Sequence, residues 1–444
     1  MLASLALIAA VATAACAPAA QDTQVVAFTN VTVVPMDSER ALPAQTVVVR
    51  GDRIAEVGPS ARVRAPAGAR VVDGRGKWLM PGLAEMHGHI PPPSAPPAYI
   101  ENTLFLYAAN GITTVRGMLG APNQLELRRR AAAGELVSPT LYLAGPSFNG
   151  NSVSSPEQAA EMVRQQKREG WDLLKVHPGL TRAEYDAMAR AARAEGMRFG
   201  GHVPEEVGLL HALEMGQETF DHVDGYVEHL NGMAGPIDAA ALSDVVRRTR
   251  EAGAWVVPTM ALWEVLFGTL PLDSLVAYPE LRYVPPQQVQ AWTRIYRERL
   301  ASPQFDAEAG RRVIAHRTRI LGELHRGGAR ILMGTDAPQQ FSVPGFSLHR
   351  ELTRMADAGM SPYAILATGT KAVGEYFRTH DAFGTVTPGQ RADLLLLDAD
   401  PLADIRNVDR ISGVMVRGRW LPRSEIDARL ERVAAGYRTP AGGR

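Results

Sequence analysis

The stretch "WDLLKVHPGLTRAEYDAMARAARAEGMRFGGH" (residues 171–202) contains two short apolar runs separated by an amphipathic segment. The runs at 172–177 and 198–202 have the length and composition of strands, and the segment between them has a helical pattern. Thr181 is the candidate N-cap of this helix, because Glu184 follows three residues later, as in a capping box. The stretch therefore predicts a strand, a helix and a second strand in succession.

The same alternation extends in both directions, from about residue 79 to residue 383. Eight strand–helix units predict an α/β protein with a (β/α)8 barrel, which we place at residues 81–383. The segment from about 261 to 310 is longer than a usual connection and is predicted to be a lid or insertion over the barrel mouth. The other six candidate strands are 83–89, 112–117, 140–145, 218–222, 255–260 and 330–336.

Short alternating runs separated by turn residues occupy both ends of the chain, at residues 25–80 and 384–425. Such alternation is typical of half-buried antiparallel strands. We therefore expect one small β-sandwich domain, assembled from both termini and bracketing the barrel. Residues 426–444 remain as a C-terminal tail.

The composition limits the classes of partner. The chain has 444 residues, 46% of them hydrophobic, with 47 basic and 47 acidic side chains. This length allows one large domain or two smaller ones with a substantial core. The zero formal net charge argues against nucleic acid or an anionic membrane surface as the main partner, since either favours a basic face.

The N-terminal sequence "MLASLALIAAVATAAC" is apolar, ends in small residues and is too short to span a bilayer. It predicts a signal peptide within residues 1–20 and export of the protein. Cys16, directly after "TAA", resembles the lipidated cysteine of bacterial lipoproteins, which predicts a periplasmic or outer-membrane-anchored protein. The alternative is ordinary export, with cleavage after the "APA" of 17–19. Because Cys16 is the only cysteine, any metal site must use His, Asp, Glu or Lys.

Residues able to bind metal stand at the ends of five of the eight candidate strands. In a (β/α)8 barrel the catalytic groups lie at the carboxyl ends of the strands. Two residues that are two positions apart on a strand point to the same side, so His87 and His89 can reach one ion. Lys175 interrupts an apolar run. Three alternatives are open for it: a solvated residue at the end of the strand, one member of a structural ion pair, or part of a reaction centre. The set consists of His87 and His89, then Lys175 with His177, then His202, His222 and Asp336.

Several motifs from residue 25 to residue 425 resemble the amidohydrolase superfamily and occur in its order. They are "LMPGLAEMHGHI", "GGHVP", "FDHVDG", "GTDAP" and "GTVTPGQRADLLLLDADPLADIRNV". The resemblance is to the branch that contains imidazolonepropionases and Xaa-Pro-type dipeptidases. It implies a distorted (β/α)8 barrel (a TIM barrel) with a flanking β-sandwich built from both termini.

The resemblance also implies a ligand set of six residues. His87, His89 and Asp336 would bind one metal, and His202 and His222 a second. Lys175 would be carboxylated by carbon dioxide and bridge both ions, because the surroundings that penalise an ammonium favour an anionic carbamate. The expected metals are two Zn²⁺ ions, and Mn²⁺, Co²⁺ or Fe²⁺ are the alternative metals.

Without the carbamate, one metal would be held by His87, His89, His202 and Asp336, with His222 assisting catalysis. In either case the reaction implied is hydrolysis of an amide by a metal-activated hydroxide, with Asp336 as the catalytic proton acceptor. We expect a small-molecule or short-peptide substrate, such as a dipeptide or an N-acyl amino acid, and a homo-oligomer. The alternatives are a lactonase, a cyclic amidase, a phosphotriesterase-like enzyme, or a degenerate barrel that only binds a ligand.

Three more residues are candidates for catalysis or substrate binding. His177 is expected to line the substrate pocket, with metal ligation as the alternative. Tyr226 would donate a hydrogen bond to the developing oxyanion, or is simply a buried tyrosine with a satisfied hydroxyl. Arg116 would bind a substrate carboxylate, or forms an ion pair across the barrel mouth.

Overall fold

The protein is described here from a computed structural model, which describes residues 25–438. The predicted signal peptide and Cys16 lie outside the described residues. The strands are β1 (Val25–Val33), β2 (Leu42–Arg50), β3 (Arg53–Pro59), β4 (Arg70–Asp73), β5 (Trp78–Pro81), β6 (Leu83–Gly88), β7 (Ile112–Gly117), β8 (Thr140–Leu143), β9 (Leu173–Val176), β10 (Arg198–Gly201), β11 (Thr219–Asp221), β12 (Trp255–Val257), β13 (Arg330–Ile331), β14 (Leu394–Leu397), β15 (Ile411–Val416) and β16 (Arg419–Pro422).

Helices follow each of the strands from β6 to β13, as the sequence predicts. The helices are α1 (Pro97–Ala109), α2 (Gln124–Ala132), α3 (Pro156–Glu169), α4 (Arg182–Glu195), α5 (Leu209–Glu214), α6 (Tyr226–His229), α7 (Ala239–Glu251), α8 (Met260–Leu266), α9 (Leu272–Val276), α10 (Pro286–Leu300), α11 (Ala307–Arg326), α12 (Phe346–Asp357), α13 (Pro362–Gly369), α14 (Lys371–Tyr376) and α15 (Arg423–Tyr437). Short 3-10 helices span Pro279–Tyr283 and Ile405–Asp409.

The strands that carry the candidate site belong to two parallel sheets. One sheet has the order β6-β7-β8, and the other has the order β13-β12-β11-β10-β9. Backbone contacts join their edges: Ala144 pairs with Leu173, and the amide of Met86 donates to the carbonyl of Met333 at 2.8 Å. The predicted α/β class with parallel strands is therefore confirmed. The carboxyl ends of neighbouring parallel strands meet at one edge of a sheet, which brings distant residues together.

A third sheet combines strands from both ends of the chain. Its order is β16-β15-β14-β5-β1-β2-β3, and β4 pairs with β1. Leu395 of β14 pairs antiparallel with Met80 of β5. The aromatic rings of Phe28 and Trp420 pack edge to face at 5.0 Å. Both termini therefore contribute to one sheet and one apolar cluster, as expected from the matching alternation at the two ends.

The long connection after β12 is helical. The predicted lid at 261–310 contains most of α8, all of α9 and α10, the first 3-10 helix and the start of α11. Glu351 of α12 fixes the start of α8, because its buried carboxylate accepts hydrogen bonds from the amides of Met260 and Ala261, both at 2.8 Å.

The segment assigned to a C-terminal tail is described up to residue 438 and contains most of α15. Ile426, Leu430 and Val433 are buried, and their spacing of four and three residues places them on one helix face. This periodic apolar face explains why the segment packs as a helix. Within residues 25–438, no helix is both long and apolar enough to cross a membrane.

Candidate metal centre

His87, His89 and Asp336 form the tightest group of candidate ligands. One ligand atom of each residue lies within 4.8 Å of those of the other two. The Nε2 atom of His89 is 2.5 Å from Oδ1 of Asp336, and that of His87 is 3.8 Å from the same oxygen. The grouping follows from the backbone, because the amide of Asp336 donates to the carbonyl of His87 at 2.7 Å. The end of β6 and the segment after β13 therefore present their ligands side by side.

His202 and His222 extend this group along the ends of β10 and β11. The ring centroids of His87 and His222 are 4.3 Å apart, and those of His202 and His222 are 4.6 Å apart. The Nε2 atom of His222 is 3.7 Å from Oδ2 of Asp336. The structure therefore brings the predicted histidines of both metal sites into one cluster.

Three of these imidazoles are oriented by a hydrogen bond from Nδ1, which leaves Nε2 to face the cluster. The Nε2 atom of His222 is buried without a hydrogen-bond partner among the described residues. Neutral imidazoles held in this way, together with a carboxylate, are a ligand set that suits a divalent metal such as Zn²⁺. The pairs are His87 with Asp221 at 2.7 Å, His202 with Asp224 at 2.6 Å and His222 with Thr259 at 2.8 Å.

The electrostatic surroundings keep the buried imidazoles neutral. Burial, together with the nearby Lys175, lowers the pKa of His87 well below its usual value. Burial also lowers the pKa of His222 well below its usual value, and the neighbouring His87 adds to this effect. An uncharged ring keeps a lone pair on one nitrogen, which is the form that binds a metal.

Lys175 lies inside the cluster rather than in solvent. Its side chain is fully buried on β9, and its Nζ atom is 3.1 Å from Nε2 of His87. Burial lowers the pKa of Lys175 to about 8, against the opposing effect of Asp221 and Asp336. The first of the three alternatives for Lys175, a solvated strand-end residue, is therefore wrong.

His177 differs from the other histidines of the cluster. It is half-buried, and its ring stacks on that of His202 with a centroid distance of 4.8 Å. Its Nδ1 atom is buried, and no residue in the described part of the chain bonds to it. Burial lowers the pKa of His177 to about 2. A ring that lacks an orienting partner fits the predicted pocket lining better than it fits metal ligation.

Arg116 does not reach a substrate-accessible surface. It is fully buried, and its Nη2 atom is 3.1 Å from Oδ2 of Asp221. Its Nε donates to the carbonyl of Met86 at 2.6 Å, and its Nη1 donates to Thr219 at 3.0 Å. The prediction that Arg116 binds a substrate carboxylate is thus corrected to the alternative of an ion pair. The reason is that the inward-facing side chain of β7 lies among the strands, where protein groups occupy its donors.

Tyr226 is likewise a structural residue, which is the alternative given for it in the sequence analysis. Its hydroxyl lies 2.8 Å from Oγ1 of Thr249 on α7, and the side chain is fully buried. Its ring packs edge to face against Phe220 at 6.2 Å. Burial raises the pKa of the Tyr226 hydroxyl above its usual value. The residue is a core tyrosine with a satisfied hydroxyl, which corrects its assignment as a catalytic oxyanion donor.

The sequence analysis missed the residues that orient the histidines. Asp221 and Asp224 stand beside His222 in "FDHVD", so their place next to a candidate ligand is the signal that was available. Thr259 comes from the end of β12, and only the fold brings it to His222. The backbone adds a further mark of a functional site: His222, Thr259 and Asp336 adopt positive φ angles of 67°, 48° and 64°.

The chain is similar to several known proteins. A family model described as "Amidohydrolase family" matches residues 78–421. An adenine deaminase of Rubrobacter xylanophilus is 26% identical over 393 residues, which cover 84% of this chain and 54% of that protein. The chain thus spans about half the length of the curated adenine deaminases it matches.

Two solved structures are similar over nearly the whole chain. A bottromycin amidohydrolase has a TM-score of 0.74 and 25% identity, with 93% of this chain and 90% of that chain covered. A putative prolidase from Bifidobacterium longum has a TM-score of 0.70 and 22% identity, with 93% and 99% covered. The second likeness concerns the fold alone.

Proposed function

This chain belongs to the amidohydrolase family, and on that premise we propose that it is a metal-dependent hydrolase of amide bonds in peptide-like or N-acyl amino acid substrates. The observation that carries the proposal is the cluster of His87, His89 and Asp336, whose ligand atoms lie within 4.8 Å of one another. The nearby His202 and His222 supply a second pair of imidazoles. Two imidazoles and a carboxylate are donors that divalent metals accept readily in hydrolases.

We propose that the site holds two metal ions, with Zn²⁺ as the first choice of metal, and that Lys175 is a carbamate between them. The neutral amine of Lys175 would form a bond to the carbon of carbon dioxide and release one proton, which gives an anionic carbamate with two oxygens. Its position supports this role, since Nζ already lies 3.1 Å from Nε2 of His87. If Lys175 stays an amine, the alternative is one metal held by His87, His89, His202 and Asp336, with His222 assisting catalysis.

When bound, the metals would lower the pKa of a water molecule and polarise the scissile carbonyl. Asp336 would take the proton from that water at its carboxylate and pass it to the leaving amine. The carboxylate of Asp221 would hold the ring of His87 by accepting a hydrogen bond from its Nδ1, and that of Asp224 would hold the ring of His202 in the same way. His177, whose half-buried ring stacks on that of His202, would line the substrate pocket beside them.

Hydrolytic deamination is a second candidate reaction. It is favoured by the 26% identity to an adenine deaminase over 84% of this chain. Deamination and amide hydrolysis both add water to a carbon and release a nitrogen group, so the same centre suits both. The lactonase, cyclic amidase and phosphotriesterase-like activities remain alternatives that use the same ligands.

The experiment is a metal analysis followed by a substrate panel. The purified protein is analysed for metal per chain and then tested before and after chelation on dipeptides, N-acyl amino acids, adenine, lactones and phosphotriesters. We expect bound metal, loss of turnover after chelation and the highest kcat/KM for a dipeptide or N-acyl amino acid. A protein without metal, indifferent to chelators, would instead be a binding protein.

We also infer that the two parallel sheets form one distorted (β/α)8 barrel with a flanking β-sandwich. The backbone hydrogen bonds that join β8 to β9 and β6 to the segment after β13 support this architecture. Export of the protein, lipidation of Cys16 and homo-oligomer formation are further proposals that rest on the sequence.

A further inference from the structure

Asp221 contacts both His87 and Arg116, and its contact with Arg116 has no part in the chemistry proposed above. Its Oδ2 atom lies 2.7 Å from Nδ1 of His87, and both its oxygens lie within 3.2 Å of Nη2 of Arg116. All three side chains are at most 1% exposed. We propose that Asp221, held in place by Arg116, is the positioning residue that makes His87 a metal ligand. The inference rests on the metal site of the proposed function.

The first argument concerns the proton of His87. An ionised carboxylate only accepts hydrogen bonds, so its contact with Nδ1 places the hydrogen of the neutral ring on that nitrogen. Arg116 is the buried counter-charge of this carboxylate, since its Nη2 atom lies within 3.2 Å of both oxygens of Asp221. The lone pair of His87 is therefore on Nε2, the atom that lies 3.8 Å from the Asp336 carboxylate.

The second argument concerns geometry. Arg116 not only pairs with Asp221 but also donates from Nε to the carbonyl of Met86, the residue before His87. The same guanidinium thus fixes both the backbone next to His87 and the carboxylate that holds its ring. A rigid ring orientation is what metal binding needs, and an outer carboxylate also makes the ligating nitrogen more basic.

The third argument is that a buried ion pair is a weak source of stability in itself. Removing two charges from water costs several kcal/mol per ion, which their attraction offsets only in good geometry. The segment just before β14 offers a pair for comparison: Arg391 and Asp393 are nearly fully buried, with 2.6 Å between Nε and Oδ2. The carboxylate of Asp393 accepts hydrogen bonds from Arg391 and from the amide of Arg417, with no imidazole among its partners in the part of the chain described.

This pair supplies the matched control for the test. Wild type, Asp221→Asn and Asp393→Asn are stripped of metal and titrated with Zn²⁺, and the melting temperature of each metal-free protein is measured. We expect Asp221→Asn to bind Zn²⁺ about 10- to 100-fold more weakly, the usual effect of losing such an outer partner. Asp393→Asn should lower the melting temperature and leave the Zn²⁺ affinity of the folded protein within about 2-fold.

Wild-type affinity in Asp221→Asn would overturn the inference, and so would an equal loss of affinity in Asp393→Asn. If Asp221→Asn does not fold, Arg116→Lys replaces it, since that variant keeps the charge and removes the forked contacts. It should also weaken Zn²⁺ binding, by a smaller factor, and unchanged binding would again overturn the inference. A wild-type protein that binds no Zn²⁺, Mn²⁺, Co²⁺ or Fe²⁺ would contradict the proposed function instead, so the two failures are distinct.

Discussion

The side-chain nitrogen of Lys175 lies 3.1 Å from Nε2 of His87, in a part of the protein where both side chains are at most 1% exposed. The two residues are 88 positions apart in the sequence and meet at the ends of β9 and β6. A lysine this deeply buried needs a chemical reason. The proposed carbamate provides one, and it can be tested.

Lys175→Ala should leave the protein folded but nearly inactive. The substitution would remove one ligand from each of the two proposed metals, so the more weakly held ion should leave. Metal per chain and turnover are measured together, with the exposed Lys167→Ala as control. A short carboxylic acid added with Zn²⁺ should partly restore turnover, because it supplies two oxygens to the vacated space.

A buried structural ion pair at Lys175 leads to a different result. The unpaired partner would then cost about 3–5 kcal/mol of stability, and no carboxylic acid would restore turnover. Two metals per chain with full activity in Lys175→Ala would exclude the carbamate.

Asp336→Asn should reduce turnover far more than it changes folding. The variant keeps the shape of the side chain and removes the proton acceptor, a contribution of typically about 10²–10⁴-fold in rate. We expect kcat to fall within this range while the melting temperature of the metal-free protein changes little. The role proposed for Asp336 would not survive near-normal turnover in this variant.

His177→Asn separates pocket lining from metal ligation. If the ring contacts substrate, metal per chain should be unchanged, and KM should rise roughly 2- to 10-fold through a lost hydrogen bond. His202→Asn is the comparison, since loss of a proposed ligand should lower the metal content. A fall in metal content in His177→Asn itself would make His177 a ligand.

Glu351 should make stability depend on pH. Burial raises its pKa from 4.5 to about 7, although the amides of Met260 and Ala261 oppose the shift. The carboxyl group holds its proton more tightly in the folded state, so it contributes stability below pH 4.5 that is lost as the pH rises through about 7. The change is on the order of 1–3 kcal/mol.

Glu351→Gln should remove this dependence, because its amide does not ionise. Melting temperatures at pH 5 and pH 8 are compared for wild type, Glu351→Gln and the exposed control Glu39→Gln. The melting temperature of Glu351→Gln minus that of wild type should increase from pH 5 to pH 8. A difference that stays constant, as expected for Glu39→Gln, would contradict the raised pKa.

Cys16→Ser tests export and lipidation. Protein recovered from the native cell envelope should lack residues 1–15 if Cys16 is lipidated, or 1–19 after ordinary cleavage. With lipidation, Cys16→Ser should release the protein from membranes without altering turnover of a soluble substrate. N-terminal sequencing of the recovered protein distinguishes loss of residues 1–15 from loss of residues 1–19. An intact Met1 would contradict export.

The sequence by itself determined the elements and most of the cluster. The run at 112–117 is β7 with the same bounds, and Thr181 and Glu184 form the predicted capping box. His87 and His89 could be paired from their spacing alone. These features depend on local periodicity and on neighbours within a few residues, which is the information that a single sequence carries.

Only the tertiary structure decided the roles of Arg116 and Tyr226. It also revealed the role of Asp221, which we did not predict from the sequence. Arg116 and Asp221 are 105 positions apart, and Tyr226 and Thr249 are 23 apart. Whether an inward side chain meets substrate or protein depends on its depth among the strands and on which partners neighbouring strands provide. That depth is set by how the sheets pack, a non-local property, and burial then forces each polar group to find a partner within the protein.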